Sequence, residues 1–144
     1  MPRAYYSTVV DQPASAVWRT IRDFGYYSWA GTAIAAQLED GRTGDAVGAV
    51  RRISTAGQPA RQRLLAHSDA DRFYSYEFCG PAPFPVQDYR ATLRVTPVTD
   101  GDRAFVEWWA TFECAEDQRD HWAGHFERNG FAVWLAALRD HLQP

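Results

Sequence analysis

Few side chains in this sequence have the type and spacing to do chemistry. His121 and His125 stand four apart, the separation at which two imidazoles on one helix face can share a metal ion. Cys79 and Cys114 are the only cysteines, far apart and without CxxC spacing, which argues against a zinc site or a disulfide scaffold. No P-loop, GxGxxG, HExxH or GxSxG motif occurs, so nucleotide and serine-hydrolase chemistry is disfavoured. What remains is dispersed along the chain: tyrosine phenols, arginine guanidinium groups, carboxylates and side-chain amides. Phenols and guanidinium groups hold a carbonyl or enolate oxygen, and a carboxylate moves a proton. Taken singly, each tyrosine also fits the ordinary role of a core aromatic with its hydroxyl at the rim.

These groups matter only if the chain brings them together. The segment AYYSTVVD reads as a first strand. Pro13 then suits the first turn of a helix over 13–23, which Gly25 stops, and a short second helix is expected at Tyr26–Trp29. From residue 34 the pattern turns to period two, with strands expected at 34–39, 46–54, 60–68, 72–79, 86–97 and 103–114. The turns between them are Asp40-Gly41, Ala56-Gly57-Gln58-Pro59, Asp69-Ala70-Asp71, Gly80–Pro85 and Asp100-Gly101-Asp102. Strand 86–97 alternates clearly, with Tyr89, Ala91, Leu93 and Val95 on one face. The tail, 116–142, returns to helical period and spans roughly 40 Å at 1.5 Å per residue. Counted at 100° per residue, its inner stripe runs through Glu127, Phe131, Trp134 and Leu138, with Asp120 near it. Both histidines then fall on the solvated side, which removes the metal reading. Trp122, Phe126 and Val133 also fall off the stripe, as flank packing or as a face for a homodimer. The expected fold is α+β: a curved seven-stranded antiparallel sheet around a long C-terminal helix, in one domain over 1–144.

Composition narrows the partners. The net charge is −3 and all fifteen cationic residues are arginine, dispersed along the chain, which disfavours nucleic acid. Aromatics reach 15%, with six Trp and seven Tyr, enough to wall a cavity for a planar ligand as well as to fill a core. The N-terminus lacks a signal-peptide pattern and no apolar run is long enough to span a membrane, so a cytoplasmic protein is expected.

Local motifs in this order resemble the helix-grip superfamily, and most of all its actinobacterial polyketide cyclase/dehydrase-like proteins. They are Asp23-Phe24-Gly25 with Trp29, Val47-Gly48-x-x-Arg51, Arg63-Leu64, Tyr74-Ser75-Tyr76, and Pro85-Val86-x-x-Tyr89. Leu93-x-Val95-x-Pro97, Glu107-Trp108 with Phe112, and Gly130-Phe131 complete the set. The resemblance covers nearly the whole chain. It implies a hollow between sheet and helix for a hydrophobic small molecule. The implied activity is that of a cofactor-independent cyclase, aromatase or dehydratase on a polyketide-type substrate, or of a non-catalytic carrier or sensor.

With the resemblance, strand parity puts Ala49, Arg51 and Ile53 inward, and likewise Gln62, Leu64, Tyr74, Tyr76 and Phe78. It also puts Glu107, Trp109 and Thr111 inward, although the opposite face of that strand carries Trp108 and Phe112, so a one-residue slip would exchange the two sets. On this parity Arg51 and Glu107 share the hollow. They then form a buried ion pair, or act as oxygen anchor and proton carrier beside Tyr89. Gln62, Tyr74, Tyr76, Phe78, Phe84, Trp109, Glu127, Phe131 and Trp29 complete the expected ligand shell, with no metal or other cofactor.

Overall fold

The computed structural model describes residues 1–31, 34–55 and 58–143. The first strand, β1 (Arg3–Val10), leads through Pro13 into helix α1 (Ala14–Ile21), and a 3-10 turn follows at Ser28–Ala30. Then come β2 (Ala35–Leu38), β3 (Val50–Thr55), β4 (Gln58–Ser68), β5 (Phe73–Phe78), β6 (Gln87–Val98) and β7 (Arg103–Glu113). The chain ends in a helix of three parts: α2 (Arg119–His125), a π-helical turn (Phe126–Phe131) and α3 (Ala132–His141). The seven strands form one antiparallel sheet in the order β1-β7-β6-β5-β4-β3-β2, so every neighbour but β1 is a hairpin partner. This is the expected α+β helix-grip arrangement. Of the expected turns, that at 56–59 lies partly on residues 56 and 57, outside the described residues. Strand 46–54 begins only at Val50, because Gly48 sits at φ 93° and breaks the extended run. No helix among the described residues is long and apolar enough to cross a membrane.

The inner face of the sheet carries the core. Tyr74, Tyr76, Ala91, Leu93, Val95, Val106, Trp108, Ala110 and Phe112 are all buried there. On β7 the buried positions are the even ones, not Glu107, Trp109 and Thr111 as parity suggested. The register explains this. In an antiparallel ladder, residues directly opposite share a face. Leu93 faces Trp108 and Ala91 faces Ala110, so the odd inner positions of β6 meet even positions of β7. Glu107 instead faces Arg94 on the outer surface.

Two fastenings hold the layers. At one end, Asp69 accepts Trp18 Nε1–H at 2.8 Å and the Arg22 fork at 3.0 Å, tying α1 to the end of β4. Those bonds, led by Arg22, keep the Asp69 carboxyl well below the usual carboxylate range. At the centre, Trp108 stacks on Phe131 of the C-terminal helix at 5.1 Å between ring centroids, tilted by 13°, and packs on Trp29 and Trp134. Trp108→Ala should therefore cost about 3–5 kcal/mol, the usual penalty for emptying a buried aromatic site. Urea denaturation checks this; a loss under ~1 kcal/mol would contradict the role given to Trp108.

Candidate functional site

Between sheet and C-terminal helix lies a cavity of about 660 Å³. Its sheet wall is Ile53, Ala60 and Gln62 of β3 and β4, Tyr76 and Phe78 of β5, and Tyr89 of β6. Tyr89 follows a bulge in which Asp88 adopts φ 53°, so the strand's inner alternation starts there. The helix wall is Trp122, His125, Phe126, Asn129, Gly130 and Trp134. Tyr27 and Ile34 close one side, and Pro83 and Phe84 of the β5–β6 loop close another. Phe84 lies 5.6 Å from Trp122 and 5.2 Å from Phe126 between ring centroids, forming an aromatic rim.

Arg51 sits beneath this cavity rather than in its wall. The side chain is fully buried. Its guanidinium carbon lies 3.9 Å from the Phe24 ring centroid and 4.2 Å from that of Tyr27, with Tyr76 at 5.0 Å and Tyr74 at 5.9 Å. Nε donates to Gln62 Oε1 at 2.9 Å and Nη1 to the Phe24 carbonyl at 3.3 Å, while Nη2 has no hydrogen-bond partner among the described residues. Among those residues no carboxylate comes within ion-pair distance of it. Aromatic faces thus replace the counter-ion that a buried cation ordinarily requires.

This arrangement fixes what the cavity floor offers. Gln62 Oε1 is occupied by Arg51, so its two amide N–H groups are left to donate. Tyr76 Oη accepts from Trp108 Nε1–H at 3.1 Å, a bond that does not use its own proton, and the Tyr89 phenol is its neighbour. Burial pushes the Tyr76, Tyr27 and Tyr89 phenols up, well above their ordinary range for the last two, against the opposing pull of Arg51. The phenols therefore stay neutral at physiological pH. The floor is a set of hydrogen-bond donors in an apolar hollow, an arrangement able to hold an oxygen that gains negative charge.

Of the residues expected at the site, Gln62, Tyr76, Phe78, Phe84 and Tyr89 line the cavity. Tyr74 is buried behind it against Phe24, with ring centroids 5.6 Å apart. Trp29 lies under Trp108, and Phe131 is spent in the stack on Trp108. Tyr74, Trp29 and Phe131 thus stand behind the wall rather than in it, and three further expected residues lie outside the hollow. Glu107 stands on the outer face, bonded to Tyr5 Oη at 2.6 Å and to Arg94 Nη2 at 3.1 Å, so no Arg51–Glu107 pair exists. Trp109 lies on the same outer face beside Arg94 and Arg3. Glu127 accepts the backbone N–H of Tyr5 at 3.0 Å, at the β1 edge.

Sequence reasoning missed much of the helix wall. The π-helical turn inserts an extra residue, so a stripe counted back from Phe131 at 100° per residue loses phase before it. Trp122 and Phe126 therefore face the cavity, and so does His125, which was expected in solvent. Of the three residues expected as flank packing or a homodimer face, Trp122 and Phe126 thus turn to the cavity and Val133 remains exposed. The apolar series Trp122, Phe126, Phe131, Leu135, Leu138 contains the signal: its one step of five marks the added residue.

Comparison with known proteins agrees with this fold. A family model described as "Polyketide cyclase / dehydrase and lipid transport" matches residues 1–143. A solved protein from Nitrosospira multiformis is 30% identical, with a TM-score of 0.83 over 99% of this chain and 97% of that one. A Thermobifida fusca protein is 29% identical, with a TM-score of 0.85 over 98% and 93%. The di-domain ARO/CYC BexL, from the BE-7585A biosynthetic pathway, shares the fold at 19% identity and a TM-score of 0.79. It is covered over 46% of its length by 97% of this chain. No curated protein sequence matches.

The outer placement of Glu107 has a direct test. Glu107→Gln should leave ligand binding at the wild-type level and lower stability by no more than about 1 kcal/mol, as for a surface ion pair. Isothermal titration with a cavity ligand and urea melts measure both; a large loss of affinity would put Glu107 back in the site.

Proposed function

This chain belongs to the polyketide cyclase / dehydrase and lipid transport family, and from that premise we propose that its cavity takes one hydrophobic, carbonyl-bearing molecule of polyketide type. The carrying observation is the donor floor. Gln62 and Tyr76 present N–H and O–H groups over the buried charge of Arg51, while the remaining walls are largely aromatic. A folded poly-carbonyl chain meets both demands. Its carbon skeleton packs on Phe78, Phe84, Phe126 and Trp134, and one carbonyl oxygen rests on the floor. When that carbonyl enolises, the donors are already aimed and the solvent is already displaced, which favours the charged state over the neutral one. The reaction so served is a cofactor-independent cyclisation, aromatisation or dehydration, in the cytoplasm. A carrier or sensor role is the second reading, and one observation favours it: no carboxylate lines the cavity among the described residues.

Native mass spectrometry of the protein from its own host identifies the occupant, and a hydrophilic one would sink the proposal. The floor is tested with an isosteric pair, 2-acetylnaphthalene and 2-ethylnaphthalene. The ketone should bind about tenfold more tightly, the worth of one ~1.4 kcal/mol hydrogen bond. Tyr76→Phe should reduce that preference while 2-ethylnaphthalene binds as before. Equal affinities in the wild type would remove the floor from the account. A poly-β-ketone thioester mimic separates the two readings: loss of water or ring closure supports catalysis, and unchanged recovery supports carriage.

A further inference from the structure

The cavity holds a second polar pair, on the wall opposite the sheet. His125 and Asn129 both line it, and the Asn129 amide nitrogen lies 3.1 Å from His125 Nδ1. The imidazole is wedged among aromatic rings, with centroids 5.6 Å from Phe84, 5.2 Å from Trp122 and 5.9 Å from Phe126. Packing and hydrogen bond together fix its plane. Among the described residues the cavity wall contains no Asp, Glu, Lys or Cys. The floor phenols are neutral, and Gln62 and Asn129 do not titrate. His125 is thus the lining group able to change protonation near neutral pH.

We propose that His125, oriented by Asn129, is the proton-transfer group of the cavity, acting on an enolisable ketone whose oxygen rests on the Gln62–Tyr76 floor; this rests on the ligand reading above. An imidazole nitrogen takes a proton from the carbon beside the carbonyl. The C–H electron pair becomes the C=C bond of an enolate, and the carbonyl π pair moves to the oxygen held by the floor. Where a hydroxyl lies β to that carbonyl, the carbonyl re-forms, the C–O bond breaks, and the imidazolium protonates the departing hydroxyl, giving water and an enone. No oxidant or reductant is needed. As placed, Asn129 donates to Nδ1 and the neutral ring carries its proton on Nε2. With the amide turned over, Asn129 accepts Nδ1–H, Nε2 is the base, and the same bond holds the imidazolium that gives the proton back.

The groups packed on the ring set its pH range. Phe84 comes from the β5–β6 loop, Trp122 and Phe126 from its own helix, and none of them titrates. His121, one turn away with ring centroids 6.4 Å apart, is the neighbouring imidazole. Burial first, and then His121, hold His125 below the ordinary histidine value of 6.5, so the neutral base prevails at pH 7.

Deuterium exchange into 2-tetralone in D2O, followed by proton NMR, tests the assignment without the natural substrate. Wild-type protein should accelerate exchange. The protein-dependent rate should climb through one ionisation below 6.5 and level off above it, because the base form is the active one. His125→Gln should lower exchange about a hundredfold or more, abolish that ionisation, and leave binding of 2-tetralone, read by tryptophan fluorescence, intact. Asn129→Ala should shift the midpoint and lower the plateau less. A His125→Gln protein that binds and exchanges at the wild-type rate overturns the proposal. So does a wild-type rate with no ionisation below neutrality, a result that needs no variant to fold. Wild-type binding without exchange overturns this inference alone; no binding overturns the ligand reading with it.

Discussion

A fully buried guanidinium with no carboxylate beside it among the described residues is the constraint around which this protein is arranged. An unpaired cation in an apolar interior is costly. Here Phe24 and Tyr27 lie close to Arg51, the Phe24 carbonyl and Gln62 satisfy part of its hydrogen bonding, and the phenols of β5 lie within its field. Each compensation fixes a neighbour. The Asp23–Gly25 turn must deliver Phe24, the first stretch after α1 must deliver Tyr27, and Gln62 must point its oxygen downward. The resulting polarity of the floor is a by-product of solvating one charge.

The helix answers the sheet with a change of phase. A straight α-helix presenting Phe131, Leu135 and Leu138 to the core would turn Trp122 and Phe126 aside. The π-helical turn lets one helix serve two partners: its C-terminal half closes the core over Trp108, and its N-terminal half walls the cavity with the rim residue Phe84. π-turns recur at functional sites because the extra residue redirects a face without ending the helix.

Most of the fold was legible because local signals agreed: alternation on β6, turn chemistry at the hairpins and a proline at the start of α1. The inner positions of β6 followed from alternation, and those of β3 to β5 from parity together with the family resemblance. Parity on β7 failed by one residue, because both faces of that strand carry aromatic side chains, Trp109 on one and Trp108 and Phe112 on the other, so alternation alone does not say which turns inward. The helix wall failed for another reason, since a period of 3.6 cannot be carried through a turn that does not obey it. Arg51 was placed inward correctly, yet its aromatic surroundings are a tertiary fact that no spacing in the chain encodes.

Gly130 carries a consequence for the size of guest the protein can house. It faces the cavity from within the π-turn, and a Cβ built there would stand 3.2 Å from the Trp134 ring. A methyl group at this point would push the indole into the space it now borders. The reach available to a bound molecule is therefore gauged by a missing side chain on the helix, while the donors that hold its oxygen are furnished by the sheet. Length and reactivity can then be altered separately, one residue at a time, within a single hollow.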